Sequence, residues 1–237
     1  MTTLVVGASG ATGRLLVEQL LSHGENVKII VRSIDHLPDK ILNNNQLLIT
    51  ESSLLDMNDD ELQEHVHGCD AVVSCWGHNL TVNGMFGHPR RLVTNAVQRL
   101  SHAIEATGSD VPVKFILMNT TGNQNVKAGE KVPVQQKLVV DLIRFLLPPH
   151  ADNEAAAEYL QSNYDCDHKL IEWVTVRPDS LINEASVTQY DTYESPIRSA
   201  IFDAGKTSRI NVAHFMSQLV INNVTWNKWK SKMPVIY

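Results

Sequence analysis

Gly7-Ala8-Ser9-Gly10-Ala11-Thr12-Gly13 is the stretch on which the fold turns. It directly follows a short apolar run, Thr3–Val6. It directly precedes Arg14–Ser22, where Leu15, Leu16, Gln19 and Leu20 recur at helical spacing before a stop at His23-Gly24. Strand, glycine-punctuated turn and helix in that order make a pyrophosphate cradle. The turn is tight, the backbone must approach the phosphates closely, and helix and strand must touch, so each demand selects glycine. The helix start then presents free N–H groups and the positive end of its dipole to an anion. A glycine triplet alone is a weak signal; its place between a strand and a helix makes it specific.

Outward from this loop, the periodicity alternates between short apolar runs and longer amphipathic segments, as expected for an α/β chain with a parallel sheet. Further strands are expected at Val27–Val31, Leu47–Thr50, Ala71–Cys75, Val113–Met118 and Glu172–Val176. Val27–Val31 alternates little, which suits a strand covered on both faces. Asn58–Val66 reads as a short acidic helix. Pro89 opens a long helix with Leu92, Val93, Ala96, Val97, Leu100 and Ile104 on one face. Pro133 starts another, through Leu146, which Pro148-Pro149 stops. A helix over Asn153–Gln161 precedes the sixth strand, and Asn211 opens a last one reaching about Val220. No repeat or linker interrupts the chain.

Composition narrows the partners. The 237 residues are 43% hydrophobic and 19% charged, enough apolar matter for a sizeable core. Acidic residues outnumber basic ones 26 to 20, a net charge of −6, which argues against nucleic acid or an anionic membrane surface. Cys69, Cys75 and Cys166 form no CxxC pair, and the odd count fits a reducing cytoplasm. Met1–Gly7 lacks the basic start of a signal peptide, and no apolar run is long enough to span a bilayer. No metal is expected: His65 and His67 read as part of a solvated acidic helix end. Asn119-Thr120-Thr121 matches a glycosylation pattern that has no meaning without secretion.

The second strand ends Val31-Arg32-Ser33, where a dinucleotide fold faces the adenine ribose. A guanidinium and a hydroxyl stand there instead of the acid that would accept from a 2′-OH. They suit a 2′-phosphate, and Arg14 adds a second charge. NADP(H) is therefore favoured over NAD(H).

The GASGATG loop, VRS after the second strand, Asp70–Val73 entering the fourth and Val174-Thr175-Val176-Arg177-Pro178 late in the chain together resemble the atypical short-chain dehydrogenase/reductases. The NmrA-like and biliverdin-reductase-B-like branch is the nearest. The resemblance covers most of the chain and is strongest over the first 80 residues. It implies a doubly wound parallel sheet, the Rossmann NAD(P)-binding fold, as one domain over 1–237. The irregular part from about 179 to 237 would complete the substrate side. It puts Gly7, Ser9, Gly10, Ala11, Thr12 and Gly13 on the pyrophosphate and Arg32 and Ser33 on the 2′-phosphate. Ser53, Leu54 and Leu55 would lie near the adenine, with Ser53 where the family usually has aspartate. Cys75, Trp76 and Gly77 would line the ribose. Pro178, Asp179 and Ser180 would approach the nicotinamide, with Asp179 in place of a commoner glycine.

The usual proton machinery of these reductases is a hydroxyl after the fifth strand and a Tyr-x-x-x-Lys pair. No tyrosine precedes any lysine by four residues in this chain. Thr120 and Thr121 can supply the hydroxyl. Glu158-Tyr159-Leu160 resembles the family's Glu-x-x-Leu, and stepping back four and eight residues from Glu158 gives Glu154 and His150. An imidazole at the tyrosine position, with a carboxylate beside it, can serve as general acid. The plainer alternative, preferred on sequence, is that Asp152 or Asn153 caps this helix, Glu154 complements its dipole and His150 ends a loop. Tyr190 and Tyr193 fall where related enzymes bind substrate and can stand in as donors. Cys75 reads as a buried strand-end thiol. Trp226, Trp229 and the apolar Met233–Tyr237 read as docked on the core, or on a second subunit, so monomer or homodimer is expected.

Two functional expectations follow. One is an NADP(H)-dependent oxidoreductase passing hydride to a small carbonyl, flavin or quinone-type acceptor, with His150 dispensable. The other, which the missing Tyr/Lys pair favours, is a non-catalytic NADP(H) sensor acting through a protein partner.

Overall fold

A computed structural model describes residues 1–77, 91–125, 127–130, 148–199 and 202–237. The six expected strands form at β1 (Thr2–Val6), β2 (Asn26–Val31), β3 (Leu47–Glu51), β4 (Ala71–Ser74), β5 (Val113–Met118) and β6 (Ile171–Pro178). Four short strands follow: β7 (Ser180–Ile182), β8 (Thr192–Tyr193), β9 (Lys206–Ser208) and β10 (Val235–Ile236). The main sheet runs β3-β2-β1-β4-β5-β6-β10-β8, parallel throughout except where β8 meets β10, and β7 pairs with β9 separately. The order reverses between β1 and β4, so the crevice of this doubly wound sheet opens at their carboxyl ends.

Alternation along β1 explains why both faces are covered. Val5 belongs to one core and Leu4 and Val6 to the other. The Val5 face packs under α1 (Gly13–Ser22), through Leu16, Val17 and Leu20, and under residues of two helices from late in the chain. These are α6 (Arg209–Ile221), giving Val212, Phe215 and Met216, and α7 (Asn223–Trp229), giving Trp226 and Trp229. The opposite face packs under α3 (Asp59–Val66), α4 (Leu92–Thr107) and α5 (Pro148–Asn163), through Leu62, Val97, Leu100, Ala157 and Leu160. A one-turn helix, α2 (Asp39–Leu42), lies between β2 and β3. Both tryptophans are buried, as the docking expectation required.

Helix starts follow the sequence expectation at α3 and depart from it later in the chain. Asn58 caps α3 in a capping box with Glu61, so the acidic segment starts where expected. The last long helix begins at Arg209 rather than Asn211. Ser208 is its cap, and its hydroxyl accepts from the Asn211 N–H. Where a helix over Asn153–Gln161 was expected, α5 covers Pro148–Asn163, and Pro148-Pro149 are themselves helical. His150 therefore sits in a helical turn and not at a loop end. Nor does Asp152 cap its own helix. Its buried carboxylate reaches the start of α4 and accepts from Val93 N (2.8 Å), Thr94 N (3.0 Å) and the Thr94 hydroxyl (2.6 Å). The expected helix from Pro133 to Leu146 and the Pro89 start of α4 lie outside the described residues.

Candidate active site at the carboxyl edge of the sheet

The segments singled out in the sequence, with Gly122 added by the structure, follow the carboxyl ends of six adjacent strands. In spatial order they are Ser53–Leu55 after β3, Arg32-Ser33 after β2, Gly7–Gly13 after β1, Cys75–Gly77 after β4, Thr120–Gly122 after β5 and Pro178–Ser180 at β6. An extended ligand laid along that edge meets all of them in turn.

The loop after β1 is built by its own backbone. Gly7 has φ +75°, and a Cβ there would lie 2.7 Å from both the Cys75 carbonyl carbon and the Trp76 ring. A Cβ on Gly13 would collide with the Gly7 carbonyl oxygen. That oxygen accepts from Gly10 N (3.0 Å), and Gly10 O accepts from Arg14 N (3.0 Å), closing the turn into α1. The N–H groups of Ala11, Thr12 and Gly13 have no partner among the described residues. No acid stands in the first turn of α1, and Thr12 makes no side-chain cap. Gly10 faces open space apart from the Gly7 carbonyl. Free donors, an unopposed helix dipole and room above the loop fit a pyrophosphate.

Beside it, Cys75 is buried, and burial pushes its thiol up to about 12, so it is not a nucleophile at neutral pH. Trp76 is half-buried and Gly77 exposed. At the far end, Arg32 is exposed and makes no hydrogen bond or ion pair among the described residues. The Ser33 hydroxyl donates to Asp35 Oδ2 (2.7 Å) and accepts from Asp35 N (3.1 Å). After β3, the Ser53 carbonyl accepts from Asp56 N. The Leu54 side chain enters the core under α3 and α4 while Arg99 holds its carbonyl, and Leu55 is half-buried against that core.

The structure brings Thr120 and His150 together and supplies a reason that the sequence did not reveal. A Cβ on Gly122 would lie 3.0 Å from His150 Cε1 and 3.7 Å from Thr120 Oγ1. Gly122 N donates to that same hydroxyl (3.3 Å), and His150 Nε2 lies 3.6 Å from Glu154 Oε1 one turn along α5. Asn119 ties the loop to the helix. Its Nδ2 donates to Asn153 O (2.8 Å) and its Oδ1 accepts from Thr120 N (2.9 Å). Asn119 is buried, and its only sequence signal was the glycosylation pattern. Thr121 is buried against β6, its N–H donating to Pro178 O (3.1 Å). Asp179 uses both carboxylate oxygens on backbone, accepting from Ser180 N (2.9 Å) and Gly205 N (2.8 Å).

Tyr190 and Tyr193 each have a partner within the last third of the chain. The Tyr190 hydroxyl bonds His214 Nδ1 (2.7 Å) on α6, and burial raises it to about 12. The Tyr193 ring meets Tyr237 edge-on.

A family model described as NAD(P)H-binding matches residues 7–223, nearly the whole chain. The chain belongs to the NAD(P)H-binding family. That placement agrees with the atypical short-chain dehydrogenase/reductase motifs. No curated protein matches the chain significantly. Solved structures share the fold at low identity. The oxidoreductase ylbE from Lactococcus lactis aligns over 100% of this chain and 90% of its own, with TM-score 0.69 and 17% identity. A wide-type short-chain dehydrogenase/reductase from Veillonella parvula in complex with NADP aligns over 99% and 93%, with TM-score 0.68 and 17% identity. ChuY, an anaerobilin reductase from Escherichia coli O157:H7, aligns over 100% and 96%, with TM-score 0.68 and 14% identity. Among the described residues no helix is long and apolar enough to cross a membrane.

Proposed function

We propose that this NAD(P)H-binding protein is an NADP(H)-dependent oxidoreductase that passes hydride to a small carbonyl, flavin or quinone-type acceptor. The observation that carries the reading is the convergence of Thr120, Gly122 and His150 on the edge that also bears the phosphate loop. A purely nucleotide-sensing protein has no need of a hydroxyl and an imidazole packed together two strands from that loop.

Bound NADPH supplies the hydride. The residues of the chain hold the cofactor and orient the acceptor. The free N–H groups of Ala11–Gly13 receive the pyrophosphate, and Cys75–Gly77 flank the ribose beyond it. Thr120 Oγ1 offers a hydrogen bond to an acceptor oxygen, and the His150 imidazolium supplies a proton there when the acceptor is a carbonyl. A flavin or quinone takes its proton from solvent and makes no such demand.

The acceptor class is therefore readable from one variant. With a carbonyl acceptor, His150→Gln should slow NADPH oxidation by ~100-fold or more, the lower end of general-acid contributions. The wild-type rate should also fall as pH rises through the imidazole pKa, since only the protonated ring donates. With a flavin or quinone, His150→Gln should leave the rate within about threefold, and the pH dependence should be absent from both proteins. An acceptor screen of the wild type with no turnover at all overturns the reductase reading in favour of a sensor.

NADP(H) preference rests on Arg32, an exposed cation after β2 with no partner among the described residues. Arg32→Ala should weaken NADP+ binding by ~1.5–3 kcal/mol, the range for hydrogen bonds to charged groups, and change NAD+ binding little. Calorimetric titration with the two nucleotides checks it.

A further inference from the structure

The hydroxyl expected to greet a 2′-phosphate already has an occupant. Ser33 Oγ donates its only proton to Asp35 Oδ2 at 2.7 Å, and Asp35 N returns a bond to the same oxygen at 3.1 Å. A phosphate is acceptor-only, so it needs that proton, and it brings about two negative charges beside an exposed carboxylate. A ribose 2′-OH is a donor, for which the same carboxylate is a ready partner. The turn after β2 thus carries opposed features three residues apart in sequence: Arg32, a cation with no partner among the described residues, and Asp35, an anion that holds the neighbouring donor.

We propose that Asp35 is a selectivity residue that holds back NADP(H) and keeps NAD(H) usable at the same site. This rests on the reading that Arg32 and Ser33 face the adenosine ribose. Arg32 draws the 2′-phosphate, and Asp35 opposes it by withholding the Ser33 proton and by repulsion. The balance leaves a modest preference instead of the exclusive one a lone Arg-Ser pair would produce. Replacing the carboxylate by an isosteric amide removes the repulsion, leaves only a weaker, neutral acceptor for the Ser33 proton and adds an N–H donor. The repulsion between an exposed carboxylate and a nearby phosphate, screened by water and salt, is of the order of tenfold in affinity.

The experiment titrates wild type, Asp35→Asn and Arg32→Ala with NADP+ and with NAD+, at low and at moderate salt. The expected result is that Asp35→Asn binds NADP+ about tenfold tighter while NAD+ binding stays equal or weakens slightly, with the NADP+ gain shrinking as salt rises. Unchanged or weaker NADP+ binding in Asp35→Asn, alongside a loss in Arg32→Ala, overturns the role of Asp35 and leaves the ribose assignment standing. NADP+ binding indifferent to Arg32→Ala overturns both, because the ribose then lies elsewhere. Loss of both nucleotides in Asp35→Asn also overturns the proposal, since Asp35 would then shape the turn and not the choice.

Discussion

Arg177→Met should destabilise the protein by about 3–5 kcal/mol, the cost of leaving one member of a buried ion pair uncompensated. Arg177 is fully buried on β6, and each of its five guanidinium N–H groups has an acceptor. Two go to Glu130, Nη2 to Oε1 at 2.6 Å and Nη1 to Oε2 at 2.9 Å. The others go to the carbonyls of Met233, Asn123 and Glu194. Methionine fills much of the volume, but Glu130 is left as a buried carboxylate whose remaining partner among the described residues is the Asn125 N–H. Removing both charges, in Arg177→Met with Glu130→Leu, should recover a large part of the loss, since a buried pair contributes little net stability against apolar groups of similar volume. Urea unfolding of the single and double variants at neutral pH measures both quantities. A single-variant loss below about 1 kcal/mol would contradict the buried pairing. The fork also bears on the site, because it fastens the turn carrying Thr120 and Asn123 to the strand that carries Pro178.

The second large effect falls on binding and should spare the fold. At Gly10 a Cβ meets only the Gly7 carbonyl oxygen, at 3.1 Å, and otherwise points into open space. Gly10→Val should therefore fold, with a melting transition near that of the wild type. Its branched side chain would stand where the pyrophosphate must approach, and affinity for NADP+ and NAD+ alike should fall by ~100-fold or more. Gly13 behaves differently: its Cβ would strike the Gly7 carbonyl, so Gly13→Ala should damage the loop itself. Calorimetry with both nucleotides on folded Gly10→Val checks the first effect, and retained affinity would place the phosphates elsewhere.

Much of this architecture was legible because it is written in local pattern. The Gly7–Gly13 loop declares itself through strand, turn and helix within twenty residues. The six strands announce themselves as short apolar runs, and the Asn58/Glu61 box marks the start of α3. What stayed hidden depends on partners distant in sequence. Asp152 looked like a cap for its own helix, since a cap is ordinarily local, but its oxygens reach α4, 58 and 59 residues away. Asn119 had no signal beyond a modification pattern, yet it ties the β5 loop to α5. The Arg177–Glu130 fork spans 47 residues and leaves no mark on periodicity. Asp35 was in plain view, two residues past Ser33. Its bond to that hydroxyl is a matter of side-chain geometry, which spacing alone does not report.

The most direct test of the account is an experimental structure of the protein with NADP+ bound. The pyrophosphate is expected on the N–H groups of Ala11, Thr12 and Gly13, the 2′-phosphate within reach of Arg32, and the nicotinamide facing Thr120, Gly122 and His150. A nucleotide bound away from the Gly7–Gly13 loop, or one whose nicotinamide end points away from Thr120 and His150, would contradict it.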